Sequence, residues 1–154
     1  MRKLSSLFVI ALILLLTAAP AAASSPPLDV DFEVPTVIPE EGQTFGPFTA
    51  TGPAVDAGLI CESGSTIDVF FKVSGFQSQT GINFQDIKRF TCDDGSGEFF
   101  VKLQVRLDRK GDNFNWNIVG GTGAYENLHG TGSGIGLPIP DGVLDLYDGK
   151  LHID

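Results

Sequence analysis

The chain has 154 residues, with 10 basic against 19 acidic side chains and a net charge of −9. An acidic surface repels phosphate backbones, which excludes nucleic acid as the partner class. Forty-two percent apolar residues with 12 phenylalanines is enough to fill one core, so this is not the composition of a disordered chain.

Residues 1–23 read as a signal peptide. Arg2 and Lys3 precede an unbroken apolar run, Leu7 to Leu16, and Ala21-Ala22-Ala23 supplies the small residues of a cleavage site before Ser24. The run is too short for a spanning helix, which needs about 20 apolar residues. Secretion, with no membrane attachment after cleavage, is the expectation. The mature chain then has 131 residues with 8 basic and 19 acidic side chains, a charge of −11, and the size of one domain. Residues 24–29, rich in Ser and Pro, are predicted to be a flexible tail before a single β-domain over 30–154.

The predicted strands follow in order: Val30–Val34, Phe45–Thr51, Thr66–Ser74, Asn83–Cys92, Gly97–Asp108, Phe114–Val119, Gly130–Gly136 and Val143–Ile153. The last is interrupted at Asp148-Gly149 and reads as one piece or two. Turn formers separate them at Ser63-Gly64, Asp94-Gly95, Lys110-Gly111-Asp112 and Asp141-Gly142. Helical periodicity is missing apart from a single turn predicted near Ala124–Leu128. Eight such strands at this spacing argue for an all-β barrel or sandwich. Three strands show period two. Phe99, Val101, Leu103, Val105 and Leu107 share one face. Phe114, Trp116 and Ile118 oppose Asn113, Asn115 and Asn117. Ile67, Val69, Phe71 and Val73 are predicted to face inward against Asp68, Phe70, Lys72 and Ser74.

Cys61 and Cys92 are the only cysteines. Two free thiols or half a metal site fit less well than a disulfide, because no histidine or second cysteine pair accompanies them. If Thr66–Ser74 and Asn83–Cys92 form a hairpin, Cys61 and Cys92 meet at its open end.

Glycine fills seven of the seventeen positions from Gly120 to Gly136, GGTGAYENLHGTGSGIG. A strand ending in consecutive glycines can bend or admit another backbone. A following strand with glycine at 130, 132, 134 and 136 can lie beneath a bulky neighbour such as Trp116. The segment has no Walker lysine and no βαβ context, so it is not a nucleotide loop. The run IVGGTGAYENLHGTGSG resembles the strand–turn–strand motif of the allene oxide cyclase and dirigent barrel superfamily. That resemblance covers about twenty residues closely. It implies a single eight-stranded antiparallel β-barrel, and a family of cyclases, proteins that steer phenoxy-radical coupling, and secreted bacterial barrels. It assigns no catalytic residue to this chain.

The remaining constellations favour structure over chemistry. Asp93, Asp94 and Glu98 could offer oxygens to calcium but read better as a hairpin turn. His129 and His152 have no nucleophile signature beside them. Trp116 and Tyr125 are the candidate ligand-binding residues, at a barrel mouth. The interior is either filled by side chains or holds one apolar ligand. Phe70 and Phe100, on outward faces, form either a cross-strand pair or a patch for self-association into a homo-oligomer. The chain thus reads as a secreted, disulfide-bridged barrel without cofactor or metal, and as a non-catalytic module binding a small apolar molecule or a protein partner. The alternative is a cofactor-independent isomerase, cyclase-like or dirigent-like, working in the cavity, and a buried carboxylate with a perturbed pKa would favour it.

Overall fold

The computed structural model describes residues 26–77, 81–108 and 111–154. The predicted signal peptide, and Lys110 of one predicted turn, lie outside them. The chain is an all-β, closed antiparallel barrel of eight strands in sequential order. The strands are β1 (Leu28–Val37), β2 (Phe45–Thr51), β3 (Ser63–Gln77), β4 (Gly81–Cys92), β5 (Glu98–Asp108), β6 (Gly111–Gly121), β7 (Leu128–Ile139) and β8 (Gly142–Ile153). β1 pairs with β8 in unbroken register from Leu28↔Leu151 to Val37↔Gly142, which closes the sheet and leaves no edge strand. Leu28 and Asp29, placed in the predicted tail, belong to that ladder. The helical turn predicted near Ala124–Leu128 is a short 3-10 turn, Gly123–Tyr125. A second short helix that the sequence reading did not expect, α1 (Pro53–Asp56), sits between β2 and β3 with proline in its first turn.

β8 is one strand. Gly149 pairs with Val30 on one side and Gly132 on the other, so it does not break the ladder. It is glycine because a Cβ there would stand 2.4 Å from Cζ2 of Trp116. Gly132, its cross-strand partner, has the same constraint: a Cβ would lie 2.0 Å from the Asp148 carbonyl oxygen and 2.7 Å from the indole. The alternating glycines of β7 are therefore space taken by Trp116, as predicted, and by Phe114.

One end of the barrel is capped. Ala54 of α1, Ile60 and the Cys61–Cys92 bridge close it, and all are buried. The two cysteine Cα atoms are 6.0 Å apart, within bridging range. The hairpin that predicted this bridge is present, with Gly64 opposite Cys92. Above the cap lies an aromatic core. Phe90 stacks on Phe99 at 4.8 Å, Phe48 meets Phe90 edge-on at 5.0 Å, and Phe114 meets Tyr147 at 4.8 Å. Such pairs contribute about 0.5–1.5 kcal/mol each beyond area burial. The inward rows read from β5 and β6 are confirmed: Phe99, Val101, Leu103 and Val105 are buried, as are Phe114, Trp116 and Ile118. Leu107, at the far end of its row, is exposed.

The face predicted for β3 is corrected at Ile67 and Val69 and holds at Phe71 and Val73. Register shifts between Asp68 and Phe70, so Val69 is an extra residue. Before this bulge Thr66 and Asp68 face inward and Ile67 faces out. After it Phe71 lies opposite Asp86, and Val73 opposite Phe84, on the inner face. A bulge inverts the parity of every residue beyond it. Phe70 and Phe100 do not pair either, because β4 stands between their strands.

Candidate functional site

Along the inner face of β4 the side chains run Ile82, Phe84, Asp86, Lys88, Phe90 and Cys92 from the far rim to the cap. The charged pair in that row anchors a polar cluster at the end of the barrel opposite the disulfide. The Lys88 ammonium stands 2.7 Å from Asp68 Oδ1, 3.5 Å from Asp86 Oδ2 and 3.9 Å from Asp145 Oδ2. Thr36 on β1 donates its hydroxyl to Asp145 Oδ2 at 3.0 Å, and Thr44 donates to Asp68 Oδ2. Asp112 on β6 and the Tyr147 hydroxyl on β8 lie within electrostatic reach of the same carboxylates. The Lys88 and Asp86 side chains are each only 5% exposed, whereas Asp68 is 16% exposed and links the cluster to solvent.

Among the described residues one ammonium faces four carboxyl groups, and burial decides their protonation. Burial pushes the Asp86 carboxyl up to about 7, against the pull of Lys88 and with the repulsion of Asp68. Burial likewise raises Asp145 to about 6, opposed by Lys88 and the Thr36 hydrogen bond. Asp112 is raised by burial. Burial would depress Lys88, but Asp68, Asp86 and Asp145 together hold it above its ordinary value. Burial and the surrounding carboxylates drive the Tyr147 phenol well upward. Three atoms of this cluster, Asp86 Oδ1, Asp112 Oδ1 and the Tyr147 hydroxyl, are buried with no hydrogen-bond partner among the described residues. Unpartnered buried polar atoms are uncommon in native structures and costly, about 1–3 kcal/mol each.

Toward the rim the inward rows turn apolar again and become exposed: Phe71 by 61%, Val73 by 42% and Leu107 by 41%. Phe71 packs its ring on Phe84 at 5.1 Å. An apolar collar therefore stands over a buried, under-satisfied polar floor.

The residues singled out from sequence fall elsewhere. Trp116 and Tyr125 are both buried. Trp116 donates to the Ser133 and Asp148 carbonyls at 3.1 and 3.2 Å. Tyr125 joins the cap: its hydroxyl accepts from the Cys61 N–H at 3.1 Å and lies 2.6 Å from Ser96 Oγ. Asp94, in the acidic turn, accepts from the Ser96 N–H and hydroxyl, bonds that lower its pKa and complete a turn. His129 and His152 stack across β7 and β8 at 5.3 Å beside Asp154 on the surface. A groove of about 610 Å³ runs along the outer face past Gln104, Arg106, Asn115, Ser133 and Asp148, on the opposite side of the sheet from the cluster.

The cluster itself was missed. In β4 the signal was present, since Asp86 and Lys88 share parity with Phe84 and Phe90. In β8 it was inverted, because Leu144 and Leu146 alternate with the buried Asp145 and draw the apolar face the wrong way.

No protein-family model matches the chain, and no curated protein matches it. Among solved structures it is similar to a protein with unknown function from the DUF3224 family of Shewanella oneidensis MR-1, with 14% identity, 86% of this chain and 98% of that chain covered, and a TM-score of 0.39. That likeness assigns no function.

Proposed function

We propose that this chain is a secreted barrel that binds a small amphipathic molecule at its polar end, with the apolar body on the collar and a polar head at the buried cluster. The observation that carries this reading is the pairing of Phe71, Val73 and Leu107, exposed on inward rows, with unpartnered Asp86 Oδ1 and Tyr147 OH beneath them. A pocket of apolar walls with a few convergent polar groups is the ordinary chemistry of a small-molecule site. The disulfide, and the leader read from residues 1–23, support an oxidising compartment outside the cytoplasm.

A second reading rests on one observation. The Asp86 carboxyl at about 7 is divided between acid and base at neutral pH, the condition for proton transfer without a cofactor. It supports an isomerase of the kind implied by the resemblance to allene oxide cyclase and dirigent barrels, with Asp86 as the proton carrier and Lys88 holding its charge.

The binding reading is tested with the neutral fluorophore N-phenyl-1-naphthylamine. Saturable enhancement is expected with the native protein, and loss of it in the Phe71→Asp/Leu107→Asp variant with the thermal melt unchanged. No enhancement, or enhancement untouched by the double substitution, overturns the site.

A further inference from the structure

We infer that the polar end selects an organic cation, a primary alkylammonium with an apolar tail, over neutral and anionic molecules of the same size; this rests on the binding reading above.

Among the described residues, Asp68, Asp86, Asp112 and Asp145 surround a single ammonium, that of Lys88, so the cluster has more acidic than basic groups. Lys88 is already committed at 2.7 Å to Asp68, which Thr44 also holds, and Thr36 takes Asp145. The acceptors left over are Asp86 Oδ1, Asp112 Oδ1 and the Tyr147 oxygen. An alkylammonium carries three N–H donors and no acceptor. It supplies one donor to each orphan and one positive charge to a cluster short of it. A carboxylate ligand would add negative charge to a buried site already crowded with carboxyl groups, and a neutral alcohol would satisfy hydrogen bonds but not charge. The collar of Phe71, Phe84, Val73 and Leu107 suits an alkyl tail, and aromatic faces beside an ammonium add attraction of their own.

Binding is then linked to protons. The titratable groups around the head are Asp68 from β3, Asp86 and Lys88 from β4, Asp112 from β6, and Asp145 and Tyr147 from β8; the inward residues of β5 there, Val101, Leu103 and Val105, are apolar. Asp86 and Asp145 hold protons in mildly acidic solution. A cationic head favours their ionised forms, so it binds more tightly as pH rises and expels protons as it does so.

Calorimetric titration of the intact protein with octylamine, octanol and octanoate at pH 5 and pH 8 tests this. At pH 8 octylamine is expected to bind at least about tenfold more tightly than octanol, with octanoate weakest. Its affinity should fall about tenfold or more at pH 5, while that of octanol stays level. The Asp86→Asn/Asp145→Asn variant should lose the amine preference and the pH dependence, which separates the buried cluster from general attraction to an acidic surface. Equal binding of octylamine and octanol, or an amine preference that survives in the variant, overturns the cation assignment and leaves the binding reading standing. No binding of any of the three overturns both.

Discussion

Replacing Asp86 by asparagine should stabilise this protein, by an amount that grows as pH rises from about 4 to about 7 and is full above it. The carboxyl moves from its ordinary 3.8 to about 7 on folding. Between those values the native state keeps a proton that the unfolded chain has released, so stability falls as pH rises, by up to about 1.4 kcal/mol per pH unit for this group. Above pH 7 the loss is complete and totals roughly 4 kcal/mol, an upper figure because water and side-chain relaxation soften buried charge. Asparagine has nearly the shape of the protonated acid and no charge to bury, and Lys88 keeps its 2.7 Å partner Asp68 in the variant. The expected gain is about 2–4 kcal/mol at pH 8, with less than about 1 kcal/mol of change at pH 4.5. Urea unfolding at the two pH values, with the denaturant slope held constant, measures the difference. A variant less stable than the native protein at pH 8, or shifted equally at both pH values, would refute the reasoning. Either result would mean that the 3.5 Å attraction between Asp86 and Lys88 outweighs desolvation.

Two further outcomes concern the frame that carries the site. Gly132→Ala should destabilise by at least about 2 kcal/mol in a thermal or denaturant melt, with a blue- or red-shifted tryptophan emission, because the new methyl overlaps both the Asp148 carbonyl and the Trp116 ring; an unshifted melt would show that β7 has room to move. Cys61→Ala/Cys92→Ala should lower stability by roughly 3–4 kcal/mol, the loop-closure value for a 31-residue separation. Its urea midpoint should match that of the native protein measured in reductant, and a midpoint equal to the oxidised protein would remove the bridge from the account.

Much of the frame was legible along the chain. The alternation of Phe99 to Leu107 and of Phe114 to Ile118, the turn at Asp94-Gly95, and the position of Cys61 and Cys92 around one hairpin are local signals, and they held; Ser63-Gly64, read as a turn, instead begins β3, where Gly64 pairs with Phe48 and Cys92. The glycines of β7 were legible too, because glycine at every second position means a neighbour that leaves no room for side chains. What misled was parity. One extra residue, Val69, puts Asp68 on the same inner face as Phe71 and Val73, and no residue type in TIDVFFKVS announces the bulge. In β8 the outward leucines at 144 and 146 hid the buried Asp145 between them.

The sequence by itself determined the strands, the bridge and the close-packed wall, since each depends on neighbours within a strand or hairpin. Only the closed barrel decided the site. Asp68, Asp86, Asp112 and Asp145 come from β3, β4, β6 and β8, and each alone would read as a solvated surface charge. Closure brings them around Lys88 and removes their water, and it is the loss of solvent, a property of the whole fold, that pushes Asp86 and Asp145 toward neutral pH.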